Sequence, residues 1–280
     1  MIKNQKPVRN KTDKKRSLIL QQVYTLKLSV YEKNLISRNI DKININDLEL
    51  IRKGYPTEYI VKQTQFNSHA FYINENVLIP RAETEKIVYI ATKSLKAQTR
   101  YHILDIGTGS GAIIISVAHF LTQNKQNHLY FFTATDISSE AIYVAKQNQK
   151  NICPNIEISF LKGNLIEPAI QNIKKTTSKG YKNIILANLP YLVPTTESQK
   201  EKSQLRYEPK TALFGKDGTL HYKQLFKQIL QYFIDFEFMI IEVDAEQPDK
   251  FLSLCKKSFP DKKIEIINDF RDKKRFIKVE

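Results

Sequence analysis

The chain has 280 residues, 41% hydrophobic and 26% charged, which is the balance of a globular protein and excludes a wholly disordered or collagen-like one. Its longest strongly apolar stretch, Gly111 to Leu121, is far too short to cross a bilayer and contains His119. The net charge of +15 is compatible with an acidic partner or with nucleic acid but singles out neither, since Lys outnumbers Arg 35 to 9 and Arg is the richer choice for gripping phosphate.

Residues 1–16, dense in Lys and Arg behind a polar N-terminus, read as a disordered basic arm and not as a secretory leader. The spacing of Leu18, Ile19, Val23, Leu26, Val30 and Ile36 predicts one helix over 18–35. A short helix follows at Asp47–Lys53, with Asn46 as its N-cap and Gly54 just past its end. Tyr55 to Pro80 alternates like an extended hairpin, with turn signals at Asn67-Ser68 and Asn74-Glu75-Asn76. Residues 17–78 thus form a small N-terminal unit and residues 79–280 a second domain.

In that second domain the sequence predicts a helix at 82–96, a strand at 101–106, a helix to Leu121 and a strand at 129–135. A helix at 138–148 and strands at 156–161 and 183–187 come next. A helix at 220–233, a strand at 236–243 and a helix at 248–257 precede two final strands, 263–267 and 275–279. Alternating strands and helices imply an α/β fold with a mostly parallel sheet covered on both faces. The last two strands are too close for a crossover helix, so one of them runs antiparallel.

Cys153 and Cys255 stand far apart, and the five His residues have no partner acid at ligand spacing. No disulfide framework or metal site is expected, and a reducing cytoplasm is the expected home.

Two segments carry chemistry. Asp105-Ile106-Gly107-Thr108-Gly109-Ser110-Gly111 closes a strand and opens a helix, where an α/β sheet binds ligands; a bare tight turn would look the same. Asp136 closes the next strand, in place to grip the hydroxyls of a ribose. Nicotinamide dinucleotides and S-adenosylmethionine both carry one, so this acid does not choose between them.

Asn188-Leu189-Pro190-Tyr191 closes the fourth strand and does choose. Methylating a planar amide or amine requires its delocalised nitrogen to be aimed at the methyl group. The Asn188 oxygen and the Leu189 carbonyl are placed to accept its two hydrogens, Pro190 stiffens the turn, and Tyr191 is placed to stack on the planar group. A dehydrogenase has no use for this tetrapeptide.

With these residues the chain resembles the class I methyltransferases that modify amide or amine nitrogen, whose usual motif is Asn/Asp-Pro-Pro-Tyr. More narrowly it resembles the release-factor glutamine methyltransferases. Ile79-Pro80-Arg81-Ala82-Glu83-Thr84-Glu85 is similar to that family's Ile-Pro-Arg-Pro-Asp/Glu-Thr-Glu linker, and Pro56-Thr57-Glu58-Tyr59-Ile60 to the end of its N-terminal domain. Tyr207-Glu208-Pro209, Asp217-Gly218, Tyr222, Glu242 and Gln247 match further positions. Leu189 and Ala82 replace prolines of the family pattern, and the glycine of its last turn is missing around Asp269–Arg275.

The resemblance implies a Rossmann-like sheet of seven strands with an antiparallel C-terminal strand, preceded by a small helical domain. It implies S-adenosylmethionine held by Asp105, Gly107, Thr108, Gly109, Ser110, Gly111, Asp136, Asn164, Leu165 and Asn188. It further implies catalysis by Asn188, Pro190 and Tyr191, and a substrate glutamine held by Asn188, Leu189, Pro190, Tyr191, Arg81 and Glu85. The implied partner is a peptide chain release factor met by a monomer, with no membrane involved.

A rival remains. Ribosomal-RNA adenine dimethylases spell their motif Asn-Leu-Pro-Tyr, and an N6-adenine substrate would suit the cationic surface. That family lacks the Pro80–Glu85 linker and carries its accessory helices after the sheet. A scaffold without activity is the third reading, against which stand Asp136, the loop glycines and Asn188.

Overall fold

The computed structural model describes residues 11–123, 127–193, 204–215 and 217–280. The first ten residues of the expected arm lie outside these, and the rest of it belongs to a helix, α1 (Lys11–Thr25). The expected helix over 18–35 is two: α1 stops at Thr25 and α2 runs Val30–Arg38. Ser29 caps α2 in a reciprocal box, its hydroxyl accepting the Glu32 N–H while the Glu32 carboxylate accepts the Ser29 N–H. Apolar periodicity carried across the break because Ile19 and Val23 of α1 and Leu35 and Ile36 of α2 are buried in one core; Ser29 caps the start of the second helix.

Helix α3 (Ile45–Arg52) starts two residues before the expected Asp47, capped by Asn44 rather than Asn46, with Asp47 completing the box. A short α4 (Thr57–Val61) follows. Ile19, Val23, Ile36, Leu48, Ile51 and Val61 form this unit's own core.

Strands β1 (Gln63–Phe66) and β2 (His69–Tyr72) make the expected hairpin. Asn67 and Ser68 both take positive φ, +48° and +64°, as a two-residue hairpin turn requires. Phe66 and Phe71 are fully buried in the core of the large sheet, not among the N-terminal helices. The hairpin therefore packs with the large sheet, although it precedes residue 79 in the chain.

The chain then runs α5 (Glu85–Ser94), β3 (Tyr101–Ile106), α6 (Ala112–Thr122), β4 (Tyr130–Asp136), α7 (Ser139–Ile152), β5 (Ser159–Lys162), α8 (Ile170–Thr177) and β6 (Lys182–Ala187). It continues with α9 (Lys210–Leu213), α10 (Leu220–Gln231), β7 (Phe238–Glu242), α11 (Pro248–Ser258), β8 (Ile264–Asn268) and β9 (Lys274–Val279). Helix α8 was not legible: only Ile170 and Ile173 of its eight residues are apolar, and the buried Thr176 satisfies its hydroxyl on the Asn172 and Ile173 carbonyls and on His102.

The seven-stranded sheet has the order β5-β4-β3-β6-β7-β9-β8, and β9 alone is antiparallel to both its neighbours. Strand residues alternate between two cores. Ile103, Ile184, Leu186 and Ile240 face α5 and α6, while Leu104, Ile185, Ile241 and Met239 face α10 and α11. Burial on both faces is what a parallel sheet under helices demands. In the last turn Asp272 takes φ +61°, the left-handed conformation the missing glycine would have supplied. No described helix is long and apolar enough to cross a membrane.

Candidate active site at the carboxyl edge of the sheet

The chain leaves β3 for β4 and β5 on one side, then returns to add β6 and β7 on the other, so a topological switch point opens between β3 and β6. Ile106 is in register with Thr135 of β4 and Ala187 of β6. One residue further on, Gly107, Asp136 and Asn188 emerge side by side. Parallel pairing alone brings three segments far apart in sequence to one edge, where they line a cleft of about 430 Å³.

The glycine turn is sterically determined. A Cβ on Gly107 would lie 2.8 Å from Leu189 Cδ2, and one on Gly111 would meet Ile115 Cδ1 at 2.7 Å and Ala145 Cβ at 3.1 Å, both at positive φ. Gly109 differs: its φ is +55° and a Cβ there would meet nothing within 4 Å, so its bare main chain faces open cleft. Asp105 is fully buried and supports the turn from inside, its Oδ2 accepting the Thr108 hydroxyl at 2.7 Å and the Ile114 N–H at 3.3 Å. It does not line the cleft, and its Oδ1 has no partner among the described residues. Asn148 of α7 completes the scaffold by bonding the Ser110 carbonyl and both main-chain polar groups of Tyr72, tying glycine turn to hairpin.

Asp136 accepts the Gly109 N–H at 2.8 Å and the Ser138 N–H at 2.9 Å on different oxygens. A carboxylate offers about four acceptor sites, so two remain for hydroxyl donors. Asn164 and Leu165, at the end of β5, line the same cleft, with Leu165 at φ +53°.

On the other side of the cleft Asn188 is half-buried and donates its Nδ2–H to Thr84 Oγ1 at 3.2 Å. Among the described residues nothing donates to Asn188 Oδ1 or to the Leu189 carbonyl. Leu189 is buried, and its N–H is accepted by the Tyr222 hydroxyl at 3.0 Å, which itself donates to the Glu242 carbonyl at 2.5 Å. Tyr222→Phe leaves buried main-chain groups unpaired and is expected to cost about 2 kcal/mol in denaturant unfolding, with a fall in turnover; unfolding unchanged from the wild type would exclude this anchoring.

Tyr191 departs from its expected place. Its hydroxyl turns inward to Glu242 Oε1 at 3.1 Å, and it lines a smaller pocket of about 100 Å³ that shares Asn188, Leu189 and Pro190 with the cleft. Arg81 lines both and pairs with the buried Glu208 at 2.5 Å, which also accepts the Ile79 N–H. Glu85 does not line the cleft: its carboxylate accepts the Asn67 N–H at 2.9 Å and holds the hairpin turn. Next to Glu208, Tyr207 packs edge-on against Tyr55 and Arg206 donates to the Lys53 carbonyl, so this segment joins the N-terminal helices to the cleft.

Burial pushes the carboxyls of Asp105 and Glu242 up to about 7, from ordinary values of 3.8 and 4.5. Over that window the folded chain keeps protons that the unfolded chain releases, so these acids favour the fold at low pH and the benefit is lost as pH rises to about 7. The free energy of unfolding is expected to fall across the window, and Glu242→Gln to flatten the slope. Identical slopes for the two proteins would show that Glu242 does not titrate there.

Sequence reasoning gave no role to Thr84, Glu242 or Asn148. Thr84 and Glu242 were visible only as positions of family similarity, and Asn148 as an unremarked helix residue.

A family model described as a methyltransferase domain matches residues 97–198. The release factor glutamine methyltransferase of Bacillus subtilis is 31% identical over 235 residues, covering 82% of this chain and 77% of the relative. The chain belongs to the release factor glutamine methyltransferase family. The Lactococcus lactis member is 30% identical over 263 residues and 90% of each chain. Among solved structures, the human METTL16 catalytic domain, in complex with a MAT2A 3′UTR hairpin, has a TM-score of 0.57 at 16% identity and covers 91% of this chain and 93% of its own. The N-terminal domain of human METTL16 in complex with SAH has a TM-score of 0.50 at 14% identity, covering 98% of each. At these identities the likeness concerns the fold, a class I Rossmann-like sheet. The cofactor of the family is S-adenosylmethionine, and the cleft fits it: bare main chain at Gly109, an acid with acceptors to spare at Asp136, and an open oxygen at Asn188.

Proposed function

We infer that the protein transfers a methyl group from S-adenosylmethionine to the side-chain amide nitrogen of the glutamine in the Gly-Gly-Gln loop of a peptide chain release factor. The observation that carries this reading is the placement, at one sheet edge, of an open glycine turn and the acid Asp136 beside two oxygens to which nothing donates among the described residues, Asn188 Oδ1 and the Leu189 carbonyl. S-adenosylmethionine supplies an electrophilic methyl group on a sulfonium.

Gly107 to Gly111 and Asp136 hold the cofactor, with Asn164 and Leu165 beside its base. Asn188 Oδ1 and the Leu189 carbonyl each accept one hydrogen of the glutamine NH2. Two acceptors fix the amide plane and leave the nitrogen one open face, so the chain's contribution is orientation at about 3–3.5 Å from the carbon attacked. Pro190 holds residue 189 extended, which keeps its carbonyl turned outward. The N-methylated amide is strongly acidic before it loses its proton, so no basic side chain is needed. Arg81 and Tyr191 shape the pocket through which the glutamine enters, and the N-terminal helices grip the body of the release factor.

The N6-adenine reading is not favoured. Planar amines need the same two acceptors, so the test is direct competition. With labelled cofactor, a release factor and ribosomal RNA in one reaction, label is expected in the glutamine of the release factor; label confined to RNA overturns the substrate assignment.

A further inference from the structure

Asn188 has two faces, an oxygen and an NH2, of similar size. Only the oxygen can accept a hydrogen from a substrate amide, and rotating the carboxamide by half a turn would present a donor to a donor. Nothing in the Asn-Leu-Pro-Tyr segment itself decides between the two.

The neighbouring residues do. Thr84 Oγ1 lies 2.7 Å from Glu242 Oε2, and Tyr191 Oη lies 3.1 Å from Glu242 Oε1. Above about pH 7 Glu242 is ionised and its carboxylate only accepts, so there both hydroxyls must donate to it. Thr84 has one hydroxyl hydrogen, and it is spent on Glu242. Toward Asn188, 3.2 Å away, Thr84 can only accept. The atom of Asn188 facing it is therefore the NH2, and Oδ1 is left toward the cleft. Glu242 is buried at the end of β7, Thr84 is buried in the turn before α5, and neither can turn to water for another partner.

We propose that Thr84 and Glu242 are positioning residues that set the direction of hydrogen bonding through Asn188, and so dictate that its oxygen meets the substrate amide. The proposal rests on the amide-methylation reading above. It gives the Thr of the linker segment and the acid at the end of β7 a common task, and explains why the Tyr191 hydroxyl points inward: it takes the second oxygen of Glu242 and holds that carboxylate in place.

Thr84→Val removes the hydroxyl at nearly constant volume, and Thr84→Ser keeps it. With a release factor as substrate, saturating cofactor and a pH above the Glu242 titration, kcat is expected to fall by about tenfold to a hundredfold in Thr84→Val, the scale of a misaligned reacting group, with KM for the release factor changing less. Thr84→Ser is expected within about threefold of the wild type. Wild-type kcat in Thr84→Val, or equal losses in the two variants, overturns the relay. Glu242→Gln, whose amide can serve Thr84 as acceptor or donor, is expected to lose kcat by a smaller factor and decides the matter should Thr84→Val not fold; an unchanged kcat in it counts against the proposal. A second readout needs no substrate. The side-chain NH2 resonances of Asn188, identified by their loss in Asn188→Asp, are expected to shift and exchange faster with water in Thr84→Val and Glu242→Gln. Resonances unmoved in both variants overturn the relay, whereas a wild-type protein that fails to methylate the release factor overturns the functional reading alone.

Discussion

Asn188→Ala is expected to lower kcat for release-factor methylation by about a hundredfold to a thousandfold, the scale of losing one preorganised hydrogen-bonding group at a reacting centre. The dissociation constant for S-adenosylmethionine should change far less, because the glycine turn and Asp136 lie on other strands and are untouched. Single-turnover kinetics with calorimetric titration of the cofactor separate the two effects. Turnover equal to the wild type in Asn188→Ala would refute the role given to this residue, and with it the claim that orientation by two oxygens is the chain's main contribution. Asn188→Asp sharpens the test. With Glu242 ionised, the second oxygen of the new carboxylate would face Thr84 Oγ1, whose only hydrogen is then donated to Glu242, so acceptor meets acceptor and turnover should fall although the oxygen facing the cleft is kept.

Asp136→Ala is expected to raise the cofactor dissociation constant by about tenfold to a hundredfold, since hydrogen bonds to a charged acceptor contribute about 1.5–3 kcal/mol each. Part of that loss is indirect. Asp136 accepts the N–H groups of Gly109 and Ser138, so its removal loosens the glycine turn and the start of α7 together with the ribose site. Asp136→Asn keeps one acceptor oxygen and should lie between the two. Calorimetry with S-adenosylmethionine reads the effect, and an unchanged titration in Asp136→Ala would remove this residue from the binding site.

The two substitutions act at opposite ends of one cleft, and their independence follows from the sheet. Asp136 ends β4 and Asn188 ends β6, with β3 and its glycine turn between them. Neither side chain touches the other. Tyr222, Thr84 and Glu242 belong to the Asn188 end, where Glu242 joins the hydroxyls of Thr84 and Tyr191 through its carboxylate and that of Tyr222 through its main-chain carbonyl. Changes at these three should group with Asn188 in kinetics, and changes at Asn148 or Asp105, which support the glycine turn, should group with Asp136.

The amino-acid sequence by itself determined the strand-helix alternation, the hairpin turn at Asn67-Ser68, the glycine loop, Asp136 and the Asn188 segment, because each depends on periodicity or on residues whose chemistry is local. Spacing placed one antiparallel strand among the last two, the family resemblance implied the C-terminal one, and the pairing of β9 with both β7 and β8 bears that out. Tertiary structure alone decided what depends on contacts between distant residues. Glu85 reads as a pocket acid in the linker, yet the fold turns it to the Asn67 N–H, because the hairpin packs into the large core and brings that donor within reach. Tyr191 reads as a stacking ring, yet its hydroxyl is drawn to a buried acid fifty-one positions away. The contacts of Asn188 with Thr84, and of Thr84 with Glu242, likewise join strands and turns that periodicity cannot, and a hydrogen bond's direction is fixed only when all the partners in its chain are known.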